Sequence, residues 1–94
     1  MIIKNINFLK ILFVLKKDQN LITTKELAEM TNINYKNIGK YLSRLEQLNF
    51  IEREPFQDGK RKYIFNSLTT KGEQLEISPF YISILNTITN KNKL

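Results

Sequence analysis

Apolar residues recur every three or four positions over the first half of the chain. They alternate with polar ones just past residue 50 and return to helical spacing near the C-terminus. The N-terminal stretch predicts a helix over Ile3 to Lys17. Ile6, Leu9, Phe13 and Lys16 fall on one face of it, and Phe8, Ile11 and Leu15 on another. A helix apolar around most of its circumference must be covered on more than one side, and in so short a chain a second subunit is the expected extra cover. Thr23-Thr24-Lys25-Glu26 is a capping box: the Thr23 hydroxyl accepts from the Glu26 backbone N–H, and the Glu26 carboxylate accepts from that of Thr23. A second helix therefore starts at Thr24 and runs to Met30 or Thr31, with Leu27 and Ala28 inward. Leu21 and Ile22, just before it, add a short extended segment to a sheet.

Thr31-Asn32-Ile33-Asn34 breaks the pattern. Asn32 tolerates the left-handed conformation that ends a helix, and Asn34 is an N-cap for a third helix, Tyr35 to Asn49. Ile38, Leu42, Leu45 and Leu48 form the apolar stripe of that helix. Phe50 to Glu54 and Lys62 to Phe65 predict two short strands around an Asp58-Gly59 turn, with Pro55 at a strand end or an edge. Tyr63 and Phe65 alternate with charged residues and are expected in the core. Thr69 to Leu75 reads as a short helical turn weakened by Gly72. Ser78-Pro79 then opens a last helix, about residues 79–89, with Phe80, Tyr81, Ile84, Leu85 and Ile88 on its apolar face. The polar tail after Thr89 is expected to fray.

The chain has 94 residues and predicts one domain, residues 1–94, with no internal repeat. It contains no cysteine and no histidine. A disulfide framework, a thiolate or imidazole metal site and the usual general base are thereby excluded. With no clustered carboxylates either, neither an enzyme nor a cofactor nor a metal partner is expected. Lys4 and Lys10 interrupt the N-terminal apolar stretch, which falls far short of the ~20 residues of a membrane span. The reading is a buried helix of a cytoplasmic protein with no membrane partner; the competing one is a signal peptide, against which no small-residue cleavage site follows.

Charge changes the picture. The net charge is +6 and the pI about 9.7, which favours polyanions through counterion release, though a solubilising surface would look the same. Position decides more. At about 100° per residue, with Ile38 at zero, Lys36, Lys40, Ser43 and Gln47 lie about 140–200° away, flanked by Arg44 and Asn37. That outward face holds three cations and three hydrogen-bonding groups, with Glu46 off to the side. An ordinary solvated face would usually include an acid, so the pattern favours a DNA-facing helix.

The second and third helices match a helix-turn-helix, with Ala28 small where the helices approach and Asn32 at the turn. Such a motif sends its second helix into the major groove N-terminus first, which adds Tyr35 to the candidate DNA contacts. Followed by LEQLNFIEREPFQDGKRKYIFNSLTTKGEQL, it resembles the winged-helix transcription regulators of the MarR-like and PadR-like families over about residues 6–75. Asn49-Phe50-Ile51-Glu52-Arg53 stands for their first wing strand, and Tyr63 and Thr69-Thr70-Lys71-Gly72 for the end of the motif. Asn49 replaces the usual glycine, and Ile64 to Ser67 lengthen the stretch before Leu68-Thr69.

The resemblance implies a mainly α fold with a small β-hairpin, a winged helix-turn-helix with extra N- and C-terminal dimerisation helices. It implies that the hairpin, about residues 56–62, is a wing whose Lys60, Arg61 and Lys62 project near one another along a phosphate backbone or minor groove, Arg61 in the groove. It further implies a homodimer on an inverted-repeat, double-stranded operator. Phe80, Tyr81, Ile84, Leu85 and Ile88, joined by Phe8, Ile11 and Leu15, would cross the two-fold axis, unless the last helix folds back on its own subunit. A winged-helix protein-interaction module and a DNA-binding replication or partition protein are the competing functions. The first of these would tend to carry an acidic or apolar third-helix face.

Overall fold

The computed structural model of the protein describes residues 5–18 and 21–90. The predicted helix start at Ile3 and the polar tail beyond residue 90 lie outside them. The elements are α1 (Ile6–Lys17), β1 (Ile22–Thr23), α2 (Thr24–Thr31), α3 (Tyr35–Gln47), β2 (Ile51–Asp58), β3 (Arg61–Leu68), α4 (Thr70–Gln74) and α5 (Pro79–Asn90). The chain is thus mainly α with one small sheet.

Local chemistry sets the boundaries. Asn5 caps α1, its Oδ1 accepting from the backbone N–H of Asn7 at 2.9 Å. Thr23 caps α2 through the reciprocal box with Glu26, at 3.1 Å and 3.2 Å. Asn34 caps α3, accepting from the Lys36 N–H at 2.9 Å. Thr69 caps α4, accepting from the Gly72 N–H at 3.0 Å.

α1 lies at the centre. Ile11, Leu12, Val14 and Leu15 pack into one core with Leu27 of α2, Ile38, Leu42 and Leu45 of α3, and Phe50 and Ile51 at the root of the hairpin. On its other side Leu9 and Phe13 meet Leu85 of α5, with Tyr81 alongside. This corrects the expected subunit contact surface. Ile11 and Leu15 are covered by α2, α3 and the sheet of their own chain, and Leu85 by α1. Phe8 is half-buried, edge-on to Tyr41 of α3 at 5.5 Å between ring centroids. The helix that is apolar all round is satisfied on both sides by this one chain because α5 folds back on it. Fully burying each of these side chains contributes about 1.5–3 kcal/mol.

The sheet has strand order β1-β3-β2, antiparallel throughout. β2 and β3 pair from Ile51↔Leu68 to Asp58↔Arg61 without a bulge, so both strands run longer than the alternation predicts. The residues that lengthen the stretch before Leu68-Thr69 are taken up in continuous pairing. Gly59 and Lys60 make a two-residue turn in which only Gly59 has positive φ, at 60°, the sign pattern of a type II′ hairpin. Pro55 lies inside β2, the edge strand, where its missing N–H costs no ladder bond.

The parity of that register reverses one expectation. Ile51, Arg53 and Pro55 share the inner face with Leu68, Asn66 and Ile64; Glu54 and Phe56 share the outer face with Phe65 and Tyr63. Tyr63 and Phe65 are therefore outside the core. They form an aromatic row with Phe56, centroids 6.5 Å and 5.9 Å apart, and Phe56 remains 52% exposed.

α4 is short and packs closely on Phe50 and Leu68. Its glycine is required by close approach, since a methyl group on Gly72 would overlap the Phe50 carbonyl oxygen. Gly39, within α3, faces nothing within 4 Å. Gly72→Ala should therefore cost about 1–3 kcal/mol of stability, whereas Gly39→Ala should be neutral or stabilising by up to about 1 kcal/mol. Urea unfolding of both variants checks the contrast; equal effects would contradict it.

Candidate nucleic-acid interface

α2 and α3 form a helix-turn-helix whose ends are fixed in the same way. Asn32 has φ 56° and Asn49 φ 65°. Past the first, Ile33 N–H donates to Ala28 C=O at 3.1 Å and Asn32 N–H to Glu29 C=O at 3.4 Å. Past the second, Phe50 N–H donates to Leu45 C=O at 3.0 Å and Asn49 N–H to Glu46 C=O at 2.9 Å. Both are Schellman endings with asparagine as the left-handed residue. The predicted third helix is thus two residues too long: it ends at Gln47, because Asn49, where the resembling families have glycine, must turn left-handed.

The residues that follow α3 carry carbonyls that the helix cannot satisfy. The segment entering α4 supplies their donors. Lys71 Nζ donates to Leu48 C=O at 3.0 Å, Thr69 Oγ1 to Asn49 C=O at 2.6 Å, and Thr69 N–H to Phe50 C=O at 3.1 Å. The Lys71 ammonium also lies 4.8 Å from the centre of the Phe50 ring, and it opposes the negative end of the helix dipole. Lys16 of α1 ties in the other end of α4, donating to the carbonyls of Glu73 and Leu75.

Held in this way, α3 buries Ile38, Leu42 and Leu45 completely. Tyr35, Lys36, Asn37, Lys40, Ser43, Arg44 and Gln47 are all exposed, and Tyr35 is 63% exposed at the leading end. Two of these side chains have local partners: Lys40 Nζ sits 5.1 Å from the Tyr41 ring centre, and Arg44 Nη1 is 3.4 Å from Gln47 Oε1. Both are weak, solvent-exposed contacts, so the groups are poised but not tied.

The wing cations are not brought together as expected. All three are exposed. Lys60 is in the turn, however, and Arg61 and Lys62 begin β3, so their side chains leave opposite faces of the ribbon. Arg61 shares the outer face with Tyr63 and Phe65, and Lys62 the inner face with Ile64.

Three residues that sequence patterning passed over stand at the wing's base. Asn66 is fully buried. Its Oδ1 accepts from Arg53 Nε at 3.0 Å, and its Nδ2 donates to Ile22 C=O at 3.0 Å and Thr24 Oγ1 at 3.2 Å. Arg53 Nη2 reaches the same Thr24 hydroxyl at 3.3 Å. The available signal was an arginine and an asparagine at inward parity in paired strands. Among the described residues no buried side-chain nitrogen or oxygen lacks a partner, no acidic cluster could hold a metal ion, and no helix is long and apolar enough to cross a membrane.

This architecture is a winged helix-turn-helix, and the family comparison agrees. The model of the winged helix-turn-helix DNA-binding family matches residues 5–52, and the chain belongs to that family. No curated protein sequence matches it. Among solved structures the fold is similar to that of the transcriptional regulator PA4135, with TM-score 0.67 and 21% identity over 96% of this chain and 60% of that one. It is similar to the disulfide-formed AbfR, with TM-score 0.65 and 27% identity over 92% and 60%. ZitR of Lactococcus lactis, a zinc-responsive MarR family member, gives TM-score 0.62 and 18% identity over 97% and 56%. The chain spans about three fifths of the length of these proteins.

The left-handed conformation at Asn49 predicts a simple series. Asn49→Gly should hold or slightly raise stability, and Asn49→Ala should lower it by about 1–2 kcal/mol. Thermal unfolding followed by circular dichroism measures both, and an alanine variant as stable as the glycine one would count against the assigned ending of α3.

Proposed function

We propose that the protein is a sequence-specific transcription regulator that binds double-stranded DNA as a homodimer, in the cytoplasm, where that DNA is. The reading is carried by α3. Its inner face is fully committed to the core, and its outer face presents Lys36, Asn37, Lys40, Ser43, Arg44 and Gln47, with Tyr35 at the leading end. Placed in a major groove, Lys40 and Arg44 suit guanine and Asn37 suits adenine, while Lys36 is a phosphate contact. Lys60 and Lys62 of the wing add phosphate contacts, and Arg61 enters a narrow, A·T-rich minor groove.

The homodimer is supported by α5. Tyr81 and Leu85 turn inward to α1, while Phe80 is 70% and Ile84 39% exposed, and Ile88, half-buried, continues that outward stripe. Such a stripe fits a two-fold contact with a second copy. Sedimentation at micromolar concentration should give twice the 11.1 kDa chain mass. Phe80→Asp with Ile84→Asp should give a folded monomer, since neither side chain is in the core. A parent protein that sediments as a monomer would refute the dimer.

The test of the function is selection from random duplexes. The parent should enrich an inverted repeat with half-sites about 10 bp apart, or a multiple of that. Arg44→Ala should relax preference at one position per half-site by about 1–3 kcal/mol. Lys36→Ala and Lys60→Ala should each weaken binding to all sequences alike and flatten the salt dependence by about one unit of slope. Enrichment of no repeat would replace this reading with non-specific DNA coating or a protein-interaction role.

A further inference from the structure

Among the described residues, two buried polar side chains behave differently. Thr31 is satisfied inside its own helix, its hydroxyl donating to Leu27 C=O at 2.7 Å. Asn66 instead gathers partners from two other strands and a helix. We propose that Arg53 and Asn66, acting through Thr24, are positioning residues that set the angle of the wing to the helix-turn-helix, and so the wing's share of DNA binding; the inference rests on the wing being a DNA contact.

The geometry is that of a hinge pinned at one point. Asn66, itself in β3, bonds β1 through Ile22 C=O, β2 through Arg53, and the first residue of α2 through Thr24 Oγ1. Arg53 and Ile64 C=O each share the Thr24 hydroxyl as well. Beyond this point the hairpin is a bare two-stranded ribbon, and every residue from Glu54 to Lys62 is exposed. From Arg53 to the Gly59 turn is a lever of about 20 Å at ~3.3 Å per residue. A tilt of about 10° at its base moves the tip by about 3 Å, more than a hydrogen bond tolerates.

The choice of residues favours geometry over stability. Apolar side chains at position 53 would avoid the cost of desolvating a guanidinium. What they would lack is direction. The planar fork of Arg53 sends Nε to Asn66 and Nη2 to Thr24, fixing β2 and β3 against the same helix start.

A double-mutant cycle in DNA binding separates this role from simple stability. Arg53→Met keeps an unbranched stem and removes the fork. It is compared in the intact protein and in one carrying Lys60→Ala, Arg61→Ala and Lys62→Ala, on duplexes with A·T or G·C flanks. In the intact protein it should weaken binding to the A·T-flanked duplex about five- to tenfold, after correction for the folded fraction, and shrink the flank preference. In the stripped-wing protein it should do almost nothing, because the wing it orients has no contacts left. Thr24→Val should reproduce the effect and Thr24→Ser should restore binding, which keeps the test decisive if Arg53→Met does not fold. Equal losses in both backgrounds, or no loss in the intact protein, would overturn the inference. If the unsubstituted protein binds no duplex at all, the DNA reading falls first and this inference with it.

Discussion

Three consecutive carbonyls at the end of α3 are the constraint on which the rest of the structure hangs. The Schellman ending pairs the Leu45 and Glu46 carbonyls within the helix, and the carbonyls that follow take donors from elsewhere. Here Leu48, Asn49 and Phe50 take theirs from Lys71 and Thr69, at the far end of the hairpin. The same threonine caps α4, and Gly72 lets that turn lie against the Phe50 carbonyl. The hairpin therefore leaves α3 and returns to it within one closed loop. The wing's root and the end of α3 are thus joined through the same threonine and lysine.

What was legible in the sequence is local. The Thr23–Glu26 box, the Asn32 break, the Asn34 cap and the Ile38-Leu42-Leu45 stripe each depend on residues within one or two turns. No distant contact overrides them. The errors share an opposite cause. Periodicity shows that α1 is apolar around its circumference but not which chain covers it, so Ile11, Leu15 and Leu85 looked available to a partner and are buried at home. Alternation shows that Tyr63 and Phe65 share a face but not which face. Register fixes that, and register runs from the Ile51↔Leu68 pair at the core.

Asn49 is instructive in another way. Its place in the family pattern belongs to glycine, a hint of left-handed backbone, but asparagine also belongs in helices often enough to extend one on paper. Arg53 and Asn66 were invisible for a related reason. A charged side chain in a strand reads as solvent-facing until its partners are known, and these partners lie 13 residues apart, with Thr24 29 residues from Arg53.

The wing that results is chemically two-sided. Its turn carries Lys60, its inner face carries Lys62 above a root tied to α2, and its outer face sets Glu52, Glu54 and Asp58 beside Arg61 and the Phe56, Tyr63 and Phe65 row. Carboxylates on that outer face would oppose an approach to phosphate broadside-on, while the Lys60 tip and the Lys62 face favour it. α1 then links this unit to α5, since Leu9 and Phe13 rest on Leu85 on one side while Ile11 and Leu15 hold α2 and α3 on the other. In a dimer joined through the outward stripe of α5, the separation of the two recognition helices would be set by the packing of α1 against α5. The operator spacing would then be decided by apolar side chains that never approach DNA.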